Sequence, residues 1–213
     1  MGNPIVFTSD DEPYLGLDSL VAFDQLLMES LYLNASAARF THRNSLNRLQ
    51  KAAAQILPQG FNIALSIREL IRQGHLFAAV VLMRSLIERV GIIAYLVNVP
   101  SAIDEWEDGW RNRERPSLNT MLNTLNDGKD LKSVNQTLDT FNHLVQGDPM
   151  SAPFNLVHLD PDSLGYGVGR VTNNVKLCDF LCYQTISWLT VLGGMTSMVF
   201  PEIEFGKAAG RMH

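Results

Sequence analysis

The segment His75 to Asn98, HLFAAVVLMRSLIERVGIIAYLVN, constrains this chain more than any other, because its apolar residues fall on every side of a helix rather than on one stripe. A helix of that kind is stable only where neighbours cover it all round, so it is expected to run through the centre of the protein. It nevertheless carries Arg84 and Glu88 near its middle, four residues apart and hence on one face, with Tyr95 on the same line eleven residues beyond Arg84. Charges there must pair or serve a site. The line Arg84, Glu88 and Tyr95 is therefore a candidate ligand-binding feature, beside the plainer reading of a structural ion pair.

The remaining pattern is also helical. Asp18 or Ser19 can cap a helix from Leu20 to Asn34 with a stripe of Leu20, Phe23, Leu27 and Leu31. The spacing predicts a second helix over Thr41 to Leu57, stopped by Pro58 and Gly60, and a third over Phe61 to Gln73 with Ile63, Ile67, Leu70 and Ile71 inward. Pro100 closes the central helix and Ser101 caps a short one reaching Trp110, which sets Trp106 and Trp110 on one face. Two modest helices, Leu118 to Asn126 and Leu131 to Val145, follow.

Residues 147–174 are dense in Gly, Pro, Asp and Asn and form the long loop, or a short β-hairpin around Gly165 to Gly169. A last helix, Val175 to Phe200, is charge-free from Phe180 to Pro201. Its Gln184, Thr185, Ser187, Thr190, Thr196 and Ser197, with the Gly193-Gly194 pair, fit a buried core helix better than a membrane span. The expected fold is all-α, a helical bundle around two buried long helices. It is read as a single domain over 1–213, with residues 1–17 as an extended leader on the surface.

Charge is uneven along the chain. The net charge is -5, yet residues 39–89 carry eight basic residues against Glu69 and Glu88, so that this segment is +6 and the rest -11. Such a block suits phosphates, with Arg39, Arg43 and Arg72 as phosphate-binding candidates, or an acidic surface on a protein partner or on a second copy of the chain. Cys178 and Cys182, one helical turn apart, are poorly placed for a disulfide and read as reduced, buried thiols. The opening residues lack the pattern of a secretory signal, and a cytoplasmic location is expected.

Histidine is the natural acid-base group. His42 lies among arginines, His75 opens the central helix after Gly74, His143 lies on a helix, and His158 lies in the long loop. His158, Asp160 and Asp162 crowd around a proline but lack further ligands at a metal-binding distance, so no metal or other cofactor is expected. The turn Gly165-Tyr-Gly167-Val-Gly169-Arg170 lacks the order of a dinucleotide-binding loop. Nucleophile-elbow, metalloprotease, P-loop and paired-CxxC signatures are absent from the sequence.

The run Leu82-Met83-Arg84-Ser85-Leu86-Ile87-Glu88, followed by Ile93-Ala94-Tyr95-Leu96, resembles the signature of a family of uncharacterised bacterial helical proteins. That family carries an Arg-Ser-Leu-x-Glu helix and is similar to the HEPN superfamily. The resemblance spans about Gln55 to Phe200. It implies a bundle that forms homodimers and, in active members, a metal-independent ribonuclease of toxin-antitoxin and antiphage systems with RNA as partner. Active members place Arg, a polar residue and His on one helix. The matching pair here is Arg68 and His75, with Glu69 after the arginine and Gly74 before the histidine.

A metal-free nuclease needs a base for the ribose 2′-hydroxyl, an acid for the leaving group and a cation for the phosphorane. His75 or His158 with Arg68, Arg72 or Arg84 are the candidates. The leading expectation is thus an RNA-directed or defence-related HEPN-like protein, including a weak or degenerate ribonuclease. The alternatives are a noncatalytic homo-oligomeric interaction protein and a small-anion-binding bundle.

Overall fold

The computed structural model describes residues 12–111, 114–126, 132–145, 149–160, 163–166 and 174–203. It is an all-α helical bundle. The helices are α1 (Asp18–Arg43), α2 (Arg48–Arg72), α3 (Leu76–Asn98), α4 (Ala102–Glu107), α5 (Leu118–Asn123), α6 (Lys132–Val145) and α7 (Val175–Val199). One small antiparallel hairpin, β1 (Leu156–Asp160) with β2 (Ser163–Tyr166), precedes α7. Its turn falls at 161–162, outside the described residues, and Gly165 lies within β2 opposite Val157 rather than at the turn.

The central position of α3 follows from its composition: no residue from Leu76 to Val97 is exposed, and α2, α7, α5 and α6 all pack against it. α1 and α7 run parallel, with Ser19 beside Asp179 at one end and Phe40 against Phe200, 5.8 Å between ring centroids, at the other. α2 runs back antiparallel against both, since Gln50 reaches the Val199 carbonyl while Arg68 reaches Asp24. The buried apolar side chains of all these helices form one contiguous cluster.

Several boundaries differ from the sequence reading. α1 continues nine residues past Asn34, because Ala35 to Arg43 holds no breaker and Ala37 is buried. The break falls at 44–47, where Asn47 and Gln50 form a capping box: the Asn47 side chain accepts from the Gln50 amide at 2.8 Å, and the Gln50 side chain accepts from the Asn47 amide at 3.1 Å. α2 then runs unbroken through Pro58. Proline there removes the bond to the Ala54 carbonyl, a local cost of about 3 kcal/mol that packing of α2 against α1, α3 and α7 outweighs.

Gly60, expected as a helix stop, instead marks a close approach. A Cβ at that position would lie 2.6 Å from Leu192 of α7. The true end of α2 is Gly74 at φ +74°, where the Gly74 amide bonds the Ile71 carbonyl and the His75 amide bonds the Leu70 carbonyl. That pattern is a Schellman closure. The same closure ends α4 at Gly109, so Trp110 leaves the helix at φ 61° and does not share a helical face with Trp106.

The leader is not wholly on the surface. Tyr14 is buried, and its hydroxyl accepts from the Asn174 amide at 3.0 Å, tying the start of α1 to the start of α7. α7 is not buried all round either. Its inner face packs on α1, α2 and α3, with Thr185 and Thr196 satisfied by bonds to the Leu181 and Leu192 carbonyls, whereas its outer face is open. Among the described residues no helix is long and apolar enough to cross a membrane.

Candidate functional site

The candidate residues lie in two separate places. On α2, one turn and a half before its end, Arg68 points at α1. Its Nε and Nη2 grip both carboxylate oxygens of Asp24, the second at 3.0 Å, and Nη2 also reaches Glu12 at 3.0 Å. The Arg68 side chain is only 14% exposed. The Asp24 hydrogen bonds, chiefly, and Glu12 hold its guanidinium above the ordinary arginine value against the opposing effect of burial. Its Nη1 is buried with no partner among the described residues. This is a closed guanidinium clamp joining α1, α2 and the chain before α1.

Close by, the Ser19 hydroxyl donates to Asp179 at 2.5 Å. Cys178 and Cys182 are both buried and free; their hydrogen bond lowers Cys182, its acceptor, whereas donating that bond to Cys182 and then burial push the Cys178 thiol up. A thiol held protonated in this way is a poor nucleophile.

The second place is the face of α3 around Glu88. Arg84 Nε lies 3.4 Å from Glu88 Oε1, while Arg89 and Arg115 approach Oε2 at 4.0 and 3.9 Å. Arg89 also donates to Gln59 at 2.8 Å. Glu88 is 28% exposed, so the pair expected at the buried centre of the helix sits at its edge and draws in two further arginines. Tyr95 does not extend this polar line: its ring packs against Trp110, 6.4 Å between centroids.

His75 caps α3 without a side-chain capping bond and is half-buried. Among the described residues, Arg68, His75 and Arg84 make no hydrogen bond or ion pair with one another. His158 lies in β1, and its side chain is outside the described residues, as is Asp162. Among the described residues no group of three or more His, Cys, Asp and Glu could hold a metal ion.

The basic block of the linear sequence is largely neutralised by folding. Arg48 pairs with Asp104 and Glu107 at 2.5 Å, Arg68 with Asp24 and Glu12, Arg72 with Glu69 at 2.6 Å, and Arg84 and Arg89 with Glu88. Most of these acids come from outside residues 39–89 or from the next turn. Arg72 holds the Glu69 carboxyl down at about 2. Of the phosphate-binding candidates, Arg39 donates to the Ala35 carbonyl and Arg43 is exposed in the last turn of α1, where a cation meets the negative end of the helix dipole.

Two features escaped the sequence reading. A cleft of about 240 Å³ opens between α1 and α2, walled by Ala37, Ala38, Ala53 and Ala54, with Phe200 as its floor and His42 at its rim. The other is the outer face of α7, where Phe180, Tyr183 and Met198 are 38%, 58% and 59% exposed. Ser187, Thr190 and Gly194 continue the same exposed line. A Cβ at Gly194 would meet nothing within 4 Å, so the fold of a single copy gives no reason for a glycine that costs a helix interior about 1 kcal/mol relative to alanine. No family model, curated protein or solved structure matches the chain.

Proposed function

We propose that this chain is a noncatalytic, homo-oligomeric interaction protein, a HEPN-like helical scaffold that works by contact through the outer face of α7. The observation that carries the reading is that face: a charge-free line from Phe180 to Met198, about 27 Å long, with three large apolar side chains open to solvent. Phe180 and Tyr183 lie one turn apart at one end of this line and Met198 at the other, with the small residues Ser187, Thr190 and Gly194 between them, and the reading takes the whole line as the contact surface.

The state of Arg68 supports the same reading. A guanidinium that must stabilise a phosphorane has to face the substrate, and Arg68 turns its Nε and Nη2 to the Asp24 and Glu12 carboxylates instead. The Arg68–His75 spacing thus serves a helix clamp and a helix cap. Arg84 and Glu88, the core of the family-like signature, act as an edge network that docks Arg115 against α3.

The test is sedimentation equilibrium of the wild-type protein from about 1 to 200 µM. The reading predicts a mass that rises towards twice the monomer value and a Phe180→Lys/Met198→Lys variant that stays monomeric. A wild-type monomer throughout that range would overturn the homo-oligomeric reading.

A further inference from the structure

We infer that the cleft between α1 and α2 is a binding site for a small, neutral, planar molecule that carries a hydrogen-bond donor. None of the residues that make it belongs to the outer face of α7, so the inference stands independently of the contact reading above.

The opening is made by alanine. Along α1 the buried apolar positions are Leu20, Phe23, Leu27 and Leu33 until Ala37 takes the next place, and α2 answers with Ala53 and Ala54. Protein interiors are close-packed, and larger side chains here would close the space. Small ones on both helices instead leave about 240 Å³ above Leu57 and Phe200, which are buried beneath it. An apolar cavity of about 150 Å³ takes up benzene. The cleft therefore has room for a fused pair of rings.

Pro58 gives the cleft its chemistry. In an unbroken helix the amide at position 58 would bond the Ala54 carbonyl, but proline has no amide, and among the described residues no side chain donates to that carbonyl. Positions 54 and 58 lie one turn apart on the same face of α2, and both line the cleft. The acceptor left over thus stands on the cleft wall.

The α1 side supplies a second acceptor. Thr41 already donates its hydroxyl to the Ala38 carbonyl at 2.8 Å, so only its lone pairs remain for an occupant. Asn34, also on the lining, makes no side-chain hydrogen bond among the described residues. The lining holds no Asp, Glu, Lys or Arg, and a charged molecule entering it would leave water without meeting a counter-charge. Surplus acceptors on apolar walls select a neutral donor. Pro58 becomes intelligible on this view: it weakens α2 locally and leaves an acceptor where a ligand can reach it.

The experiment is an NMR titration of the full chain with two probes of one shape: indole, whose N–H donates, and benzofuran, which has an ether oxygen in that place. Indole should bind saturably, with shifts centred on the amides around Ala38 and Ala54. Benzofuran should bind about fivefold more weakly, the worth of one hydrogen bond. Pro58→Ala restores the amide that pairs with the Ala54 carbonyl, so it should raise the melting temperature and bring indole down to the affinity of benzofuran. Ala54→Leu, which fills the cleft from a half-buried position, should abolish binding of both probes.

No saturable binding of indole by wild type would overturn the site. Equal affinity of wild type for the two probes, or a preference for indole that survives in Pro58→Ala, would overturn the selection of a donor by the Ala54 carbonyl.

Discussion

Removing Asp24 tests how the helices are held together at Arg68. The two bonds to Asp24 and one to Glu12 are charge-assisted, and Asp24→Ala leaves the guanidinium with Glu12 alone while its Nη1 already lacks a partner. Breaking a fully buried pair by removing one member costs about 3–5 kcal/mol. Asp24 is 44% exposed, so water takes over part of its role and the expected loss falls to about 2 kcal/mol. For a chain of this length that is a fall in melting temperature of roughly 4–8 °C.

The assay is thermal unfolding by circular dichroism with urea titration at neutral pH, for Asp24→Ala, Arg68→Met and the pair. Arg68→Met replaces the guanidinium by an apolar chain of similar reach, so the double variant should be less destabilised than the sum of the single ones. A change under about 0.5 kcal/mol for Asp24→Ala, or strict additivity, would refute the clamp and return Arg68 to the surface as a free cation.

Other expectations follow from the same geometry. Glu88→Ala should cost about 1 kcal/mol by urea unfolding, because the carboxylate is partly solvated and its three arginine contacts are long; a loss above 3 kcal/mol would place the pair in the core after all. Asn47→Ala removes the capping box of α2 and should cost about 1 kcal/mol, read as reduced amide-exchange protection in the first turn. Glu69 titrates near 2 because Arg72, then Gln73, stabilise its carboxylate. Its lowered value means that the Glu69–Arg72 contribution is present above the usual carboxylate range and is lost as pH falls through about 2, visible as a carboxyl carbon shift by NMR. A midpoint near 4.5 would contradict that pairing.

The parts of the fold that were legible are those in which composition leaves one solution. α3 is apolar on all sides and had to be central, and α7 was delimited by Asn174 and Pro201. The errors came where tertiary packing overrides a local rule. Pro58 and Gly60 read as a stop, yet α7 presses on Gly60 through Leu192 and the helix continues. The real break was marked by the Asn47-x-x-Gln50 signature, which a search for capping boxes finds. The +6 block misled for a related reason: linear charge says nothing about which acids fold onto it, and Asp24, Asp104 and Glu107 are distant in sequence from their arginines.

The outer face of α7 was invisible because its two sides differ in what they touch, not in polarity. Buried Thr185 and exposed Thr190 look alike in a sequence, and both bond back to their own helix. Tyr14 was missed because a single aromatic in a polar leader carries no periodicity.

The central claim, contact rather than catalysis, is tested most directly by incubating the protein with labelled RNA in the presence of a chelator, beside Arg68→Met and His75→Ala. The account predicts no cleavage by any of the three above the buffer control. Cleavage by wild type that disappears in both variants would contradict it.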